Sequence, residues 1–315
     1  MSSLGNSGIE VFPLALGGNT FGWTSDEATS HQVLDAFVEA GGNFIDTADA
    51  YSAWVPGNAG GESETIIGDW LNTRGNRDRV VIGTKVSQHP QFRGLAAANI
   101  AAAADASLTR LQTDHIDVYY AHYDDANTPL EETAAAFDAL VKAGKVRAIA
   151  VSNYSADRIR EWFEIARRDD LTLPVAVQPH YNLVKRIAYE RDIAPVAAAE
   201  NLAVVPYYAL ASGFLTGKYK TTEDLAGAVR GQGAKGYLSE AGLQVIKALE
   251  EIAGAHGVAP ATVALAWLRT RPHVAAPLAS ARTVEQLPAL VASATLELDA
   301  DERRALDEVS AQLPE

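Results

Sequence analysis

The chain of 315 residues contains no cysteine. That absence excludes disulfides, a thiol nucleophile and every cysteine-ligated metal site, without fixing a redox compartment. Basic residues are scarce beside acidic ones: 26 Lys plus Arg against 40 Asp plus Glu, a formal charge of -14. A surface of that sign repels nucleic acid and anionic membranes, and no basic run offsets it. A phosphate-bearing ligand would need a local cluster of cations instead. No apolar stretch reaches the roughly 18 residues of a membrane helix, and Met1-Ser2-Ser3-Leu4-Gly5-Asn6-Ser7 lacks the basic-then-apolar order of a secretion signal. A cytoplasmic protein with no membrane or nucleic-acid partner is the resulting expectation.

Familiar site motifs are missing as well. The seven histidines show no His-x-His or His-x-x-x-His spacing, so no metal site is expected. No Ser sits in a Gly-x-Ser-x-Gly elbow. Gly213-Phe214-Leu215-Thr216-Gly217-Lys218-Tyr219 is one residue short of a phosphate loop and has no Ser or Thr after the Lys. No Gly-x-Gly-x-x-Gly opens a helix, which speaks against a Rossmann domain.

What is present is alternation. Short β-branched runs at residues 12–16, 43–46, 80–84, 116–120, 146–151, 175–178, 202–206 and 273–276 predict strands. Amphipathic stretches predict helices over 26–40, 62–71, 95–111, 129–143, 155–168, about 188–200, 240–255, 260–270, 283–292 and 300–312, the first with Ser25 as N-cap. About eight strand–helix units in this length predict an α/β fold, a closed (β/α)8 TIM barrel with extra C-terminal helices. Residues 4–11 carry a Gly/Asn turn between apolar ends and read as an N-terminal β-hairpin plugging the barrel floor. No linker breaks the composition, so residues 1–315 are expected to form one domain. Residues 57–61 and 213–236 read as long loops, with 55–61 a lid segment.

Four polar residues stand at predicted strand ends: Asp46 with Tyr51 just beyond it, Lys85 and His122. Singly, each has an ordinary reading as a cap, a rim aromatic, a solvated lysine or a core histidine. Together they share the end where parallel barrel strands gather. A phenol beside an ammonium and an imidazole is a proton-transfer group, and the cation is expected to draw the phenol's pKa below its usual ~10. Asp46 would hold Lys85 charged, and His122 would bond a substrate carbonyl or assist the proton transfer. A hydrolase using Asp46 or Asp49 as acid or base is a weaker competing reading.

At this point the sequence resembles the aldo-keto reductase superfamily along essentially its whole length. The resemblance rests on Leu4-Gly5-Asn6-Ser7-Gly8, Phe44-Ile45-Asp46-Thr47-Ala48 with Tyr51, Gly61-Glu62-Ser63-Glu64-Thr65-Ile66-Ile67-Gly68, Thr84-Lys85, the 116–122 run ending in His122, and the 144–153 run ending in Ser152-Asn153. It implies a barrel, a catalytic tetrad of Asp46, Tyr51, Lys85 and His122, and a nicotinamide cofactor held by barrel loops. Tyr51 would be the general acid in carbonyl reduction and the base in alcohol oxidation, with a small carbonyl or alcohol as substrate. By the same resemblance Ser152, Asn153 and Gln178 face the nicotinamide carboxamide, with Asp46 beside them, and Tyr207 stacks on the ring. Gly18, Asn19 and Thr20 meet the ribose and nicotinamide. Leu210, Ser212, Lys218 and Arg230 surround the pyrophosphate. Ser280, Arg282 and Gln286 take the adenosine end, and Arg282 at a predicted helix start favours NADP(H) over NAD(H). This chain departs from the family pattern at Ser280, at Ala289-Leu290 and at Tyr208-Ala209, where Ser-Pro is common. Aromatic and imidazole residues Trp23, Trp54, His89 and Phe92 are the expected substrate pocket. Some superfamily members are auxiliary subunits, so a cofactor-binding regulatory subunit with little turnover is the alternative function. No motif sets the oligomeric state or the substrate.

Overall fold

The computed structural model describes residues 1–311 and 313. Its sheet is built from eight parallel strands: β1 (Ala15–Gly17), β2 (Phe44–Asp46), β3 (Val81–Val86), β4 (Ile116–Ala121), β5 (Val146–Ser152), β6 (Ala176–Gln178), β7 (Ala203–Val204) and β8 (Leu278–Ala279). Successive strands pair in chain order, and β8 pairs with β1. The seam between β7 and β8 closes through backbone bonds. Val204 N donates to His273 O at 2.8 Å, Ala275 N to Val204 O at 3.0 Å and Leu278 N to Pro206 O at 2.9 Å. The result is a (β/α)8 barrel with its helices outside. No helix among the described residues is long and apolar enough to cross a membrane.

Each strand is buried on both faces, as expected when helices cover a parallel sheet. Inside lies a small core of Ala15, Ala148, Ala150, Ala176 and Ala203 around the larger Phe44 and Tyr120. Leu4, Ile9 and Val11 of the N-terminal hairpin join this inner cluster. The hairpin pairs Ser2–Ser3 with Glu10–Val11, and Asn43 fastens it, accepting from Phe12 N at 2.7 Å and donating to Glu10 O at 3.0 Å. Gly5 is required at its turn: φ is +55°, and a Cβ would lie 2.4 Å from Val175 O. Outside, helices α1 (Glu27–Glu39), α2 (Glu62–Arg74), α3 (Ala97–Leu111), α4 (Leu130–Lys142) and α5 (Ala156–Arg168) press their apolar faces on the strands.

Several elements differ from the sequence expectation. The first helix is capped by Asp26, which accepts from Thr29 N at 2.8 Å, while Ser25 is buried and donates to Arg282 O at 2.9 Å. The predicted helix over 188–200 splits into a π turn, Tyr189–Ile193, and a short helix, Ala194–Ala199. Pro195 has no N–H to continue the first turn's pattern. The predicted strand at 273–276 contributes only seam bonds, because His273 has φ 64° and breaks extension; the ladder resumes after Pro277. The predicted helix over 283–292 is a 3-10 turn, Val284–Gln286, then Leu287–Val291 and a second turn, Ala292–Ala294, with Pro288 near the start of the regular part. The last helix is Ala300–Ser310; Gln312, where it was expected to end, lies outside the described residues. The expected long loops carry local structure. Residues 213–236 hold two 3-10 segments and the turn Gly231–Lys235. Residues 55–61 are pinned, with Asn58 Nδ2 donating to Gly22 O and Ser52 O, and Glu62 accepting from Ala59 N and Gly60 N.

Candidate active site

Adjacent strands carry the four tetrad residues to one mouth. Asp46 is the last residue of β2, Lys85 lies near the end of β3, and His122 directly follows β4. Parallel register sets Asp46 beside Gly83 and Lys85 beside Tyr120. Gly83 leaves room at this crossing: its nearest inward neighbours are Tyr120 and Phe44 ring atoms. Tyr51 comes from the turn after β2, folded back by Asp49 N donating to Lys85 O at 3.2 Å and Tyr51 N to Ala48 O at 3.1 Å.

The Lys85 amine has three partners. It donates to Asp46 Oδ2 at 2.6 Å and Thr47 O at 2.7 Å, and meets Tyr51 Oη at 3.1 Å. Asp46 is held on its other oxygen by Gln178 Nε2 at 2.8 Å. Asp46 and Lys85 are wholly buried. Burial pushes the Asp46 carboxyl up and the Lys85 amine down, each opposed by the charge of the other.

The Tyr51 phenol does not behave as the sequence argument expects. Burial first, then the Asp46 carboxylate, push it well above its ordinary value. The reason is that the phenol is desolvated and faces the Asp46 carboxylate, which is paired with Lys85. Tyr51 is therefore a firmly protonated donor in this state. His122 lies across from it, ring centroids 6.2 Å apart. Burial, then the Lys85 charge, hold its imidazole well below the usual histidine range, so it is neutral at pH 7. Its Nδ1 is buried with no hydrogen-bond partner among the described residues.

Beyond the tetrad, Asn153 has φ 56°. Its amide donates to His122 O at 2.9 Å and Ser152 Oγ at 3.1 Å, and its Oδ1 accepts from Tyr207 Oη at 2.7 Å. Both the nitrogen and the oxygen of this amide are thus engaged within the protein. Ser152 Oγ donates to Gln178 O at 2.9 Å. Gly18 N donates to Asp46 O at 2.8 Å, and a Cβ on Gly18 would come within 2.8 Å of Ser63 Oγ. Thr20 is fully buried, its hydroxyl on Ala281 O at 3.3 Å.

A groove of ≈ 610 Å³ runs from the mouth past β8. Asn19, Leu210, Ser212, Lys218, Arg230, Ser280, Arg282 and Gln286 all line it. Asn19 Oδ1 accepts from Ser280 Oγ at 2.7 Å and Arg230 at 3.2 Å, and Gln286 accepts from Arg282 N at 2.9 Å. Its lining has three cations, Lys218, Arg230 and Arg282, and no carboxylate, in a chain of charge -14. That local reversal suits a ligand with phosphates at separated points. Ala259, Ala261, Ala289 and Leu290 make the far wall apolar. Arg282 stands before a three-residue turn rather than a long helix, so its own charge, not a helix dipole, is what it brings.

The expected substrate residues separate into two pairs. Trp23 and Trp54 pack edge to face at 5.6 Å, and Trp54 lies 6.2 Å from the Tyr51 ring. His89 and Phe92 pair with each other at 5.2 Å across a tiny hairpin. His89 is buried, accepts from Gln91 N at 3.1 Å and abuts Gly60; neither has a ring contact with Tyr51 among the described residues. Sequence reasoning passed over Tyr123, 5.0 Å from His122, and treated Tyr208, 5.2 Å from Tyr207, only as a departure from the family pattern. The hydrolase reading loses its residues here. Both Asp46 oxygens are bonded, and Asp49 is sealed from solvent.

Comparison with known proteins agrees with this geometry. The model of the Aldo/keto reductase family matches residues 13–311. The chain is 34% identical over 323 residues to Protein tas of Escherichia coli, covering 94% of this chain and 93% of that one. It is 35% identical over 313 residues to Norsolorinic acid reductase stcV of Emericella nidulans, covering 94% and 77%. It is 34% identical over 295 residues to a probable voltage-gated potassium channel subunit beta of Oryza sativa, covering 90% and 88%. Fold, strand-end residues and whole-length match converge, and the chain belongs to the aldo/keto reductase family.

Proposed function

We propose that this protein is an NADP(H)-dependent oxidoreductase that interconverts an aldehyde or ketone and the corresponding alcohol, with Tyr51 handling the proton. The observation that carries the reading is the set of contacts on Lys85: Asp46 at 2.6 Å, Thr47 O at 2.7 Å and Tyr51 at 3.1 Å. An ammonium has three N–H bonds, and these acceptors use all three. The phenolic proton is then left to point away from Lys85, toward the mouth. Lys218, Arg230 and Arg282 would hold the phosphates, and Gln178, Asn153 and Tyr207 the nicotinamide end. When bound, the nicotinamide supplies the hydride.

The protein's own part follows from the site. A carbonyl oxygen between Tyr51 and His122 accepts hydrogen bonds from the phenol and the neutral imidazole. As negative charge grows on that oxygen, the phenol proton transfers to it. Lys85 then donates to the phenolate, and Asp46 keeps Lys85 in position without leaving its site. Alcohol oxidation runs the same transfer backwards.

The test is NADPH consumption over a panel of aryl, aliphatic and keto-sugar carbonyls. Tyr51→Phe should cut turnover by about 10²–10⁴-fold, the usual share of a general acid, while NADPH still binds. Near-normal turnover in that variant would sink the mechanism. The second reading is a cofactor-binding regulatory subunit, favoured by the name of the relative from Oryza sativa. It predicts NADPH binding with no turnover of any carbonyl in the panel.

A further inference from the structure

The barrel mouth is walled by rings to an extent the proton chemistry does not need. Trp54, Tyr123 and Tyr208 are 51%, 45% and 48% exposed, large aromatic side chains left open on one rim. One arc runs Trp23–Trp54–Tyr51–His122–Tyr123, with centroid spacings of 5.6, 6.2, 6.2 and 5.0 Å. Tyr207, Tyr208 and His180 form a second group, a triangle with 5.1–5.3 Å sides. Asn153 joins the two groups, accepting from Tyr207 and donating to His122 O. Tyr51 is near enough to Tyr123 and Tyr208 for both to bear on its ionisation.

Tyr208 has a further peculiarity. Its φ is 52°, a left-handed conformation that disfavours a bulky residue. Its carbonyl fixes it there, accepting from Asn182 Nδ2 at 2.9 Å and Ala211 N at 2.7 Å. The backbone thus holds a costly geometry that sets a large ring on the rim. Groups that could read a polyol are already engaged nearby. Asn58 is bonded to Gly22 O and Ser52 O, Asp124 to Arg158, and Asp125 to Leu95 N and Thr128. Arg230 lies over the Trp23 ring at 5.8 Å and bonds Asn19 in the groove.

Resting on the oxidoreductase reading, we infer that the substrate is a flat, uncharged aryl aldehyde or ketone of two or more fused rings, and that Tyr208 is a specificity-determining residue for it. The half-exposed rings Trp54, Tyr123 and Tyr208 around Tyr51 offer more face than a single phenyl group covers. Offset and edge-to-face contacts with those rings would hold the plane, with the carbonyl at Tyr51. A sugar would find ring faces and phenol hydroxyls there, while Asn58, Asp124 and Asp125 are engaged within the protein.

The experiment measures kcat/KM with NADPH for 2-naphthaldehyde, butanal and glyceraldehyde, in the unaltered protein, Tyr208→Ser and Tyr208→Phe. The unaltered protein should favour 2-naphthaldehyde over butanal by at least about tenfold, the worth of one or two aromatic contacts. That ratio should fall about tenfold in Tyr208→Ser, chiefly through KM, and be retained in Tyr208→Phe, which keeps the ring. Equal rates for the naphthyl and butyl aldehydes, a preference for glyceraldehyde, or an unchanged ratio in Tyr208→Ser would overturn the inference and leave carbonyl reduction standing. No turnover of any of the three overturns the oxidoreductase reading itself and this inference with it.

Discussion

Replacing Asp49 by Asn tests how this barrel carries an unpaired carboxyl in its wall. Asp49 is fully buried, and neither side-chain oxygen has a hydrogen-bond partner among the described residues. Its charged neighbours are already satisfied by others. Arg110 is paired with Glu64 at 2.6 Å, Glu64 also accepts from Thr84 at 2.5 Å, and Lys85 is paired with Asp46 at 2.6 Å. Tyr119, on β4, adds a buried hydroxyl without a partner among the described residues. Burial first, then the Glu64 charge, push the Asp49 carboxyl from an ordinary 3.8 up to about 8. Between those values the folded protein holds a proton that the unfolded chain has released. Stability is therefore full below pH 3.8, falls as pH rises, and levels off above about 8. At roughly 1.4 kcal/mol per pH unit, the interval from pH 5 to pH 8 is on the order of 4 kcal/mol. Asn does not titrate. Urea unfolding at both pH values should show Asp49→Asn gaining several kcal/mol more, relative to the unaltered protein, at pH 8 than at pH 5. Any fixed cost of the amide cancels in that difference, as do all other titrations. The same Asn effect at both pH values would mean that Asp49 is ionised and partnered in the fold, and the burial argument would be wrong.

Three other perturbations probe separate parts of the molecule. Arg282→Ala should weaken NADPH about tenfold to a hundredfold, the value of one charge-assisted contact, and leave NADH unchanged; fluorescence titration with both nucleotides checks this, and equal losses would remove the 2′-phosphate role. Asp117 is wholly buried and accepts from Ile82 N at 2.8 Å, Arg77 at 2.7 Å and Arg147 at 2.6 Å. Asp117→Ala should cost about 3–5 kcal/mol in denaturant unfolding, because it strands those donors. Gly68→Ala should destabilise by about 1–3 kcal/mol despite alanine's better helix propensity. A Cβ there would meet Arg110 O at 2.1 Å and part α2 from α3; a rise in Tm would contradict that contact.

The barrel and its tetrad were legible because both are local facts repeated at a fixed topology. Each of β2, β3 and β4 is an apolar run, and a polar side chain stands at or just beyond its end. Parallel pairing then brings Asp46, Lys85 and His122 together without any long-range knowledge. The phenol's ionisation was not legible, since it depends first on how deeply the phenol is buried and then on the Asp46 charge. Tyr123 was passed over and Tyr208 stood out only as a departure from the family pattern; ring-to-ring distances are what group them with the neighbouring aromatics. His89 was read as a loop residue open to substrate, but the hairpin Gln88–His89 with Phe92–Arg93 turns it inward against Gly60. The last strand slipped by a few residues because its position is set by Pro277 and by the register of β1, not by its own apolar run. Ser25 and Asp26 are equally good caps by residue type; a contact 257 positions away, with Arg282, decides between them.

Closure of the first strand against the last has an engineering consequence. The proton-handling residues lie between positions 46 and 122, while most of the cationic groove comes from positions 208 to 290. Among the described residues the N-terminal and C-terminal parts of the chain meet through side-chain pairs such as Gln178 on Asp46, Tyr207 on Asn153, and Asn19 with Arg230 and Ser280, besides the pairing of β8 with β1. A chimera that crosses over within α5 and keeps those pairs would exchange most of the cationic groove against an unaltered cluster of Asp46, Tyr51, Lys85 and His122. Recombination could thus retune one property of the protein while inheriting the other whole.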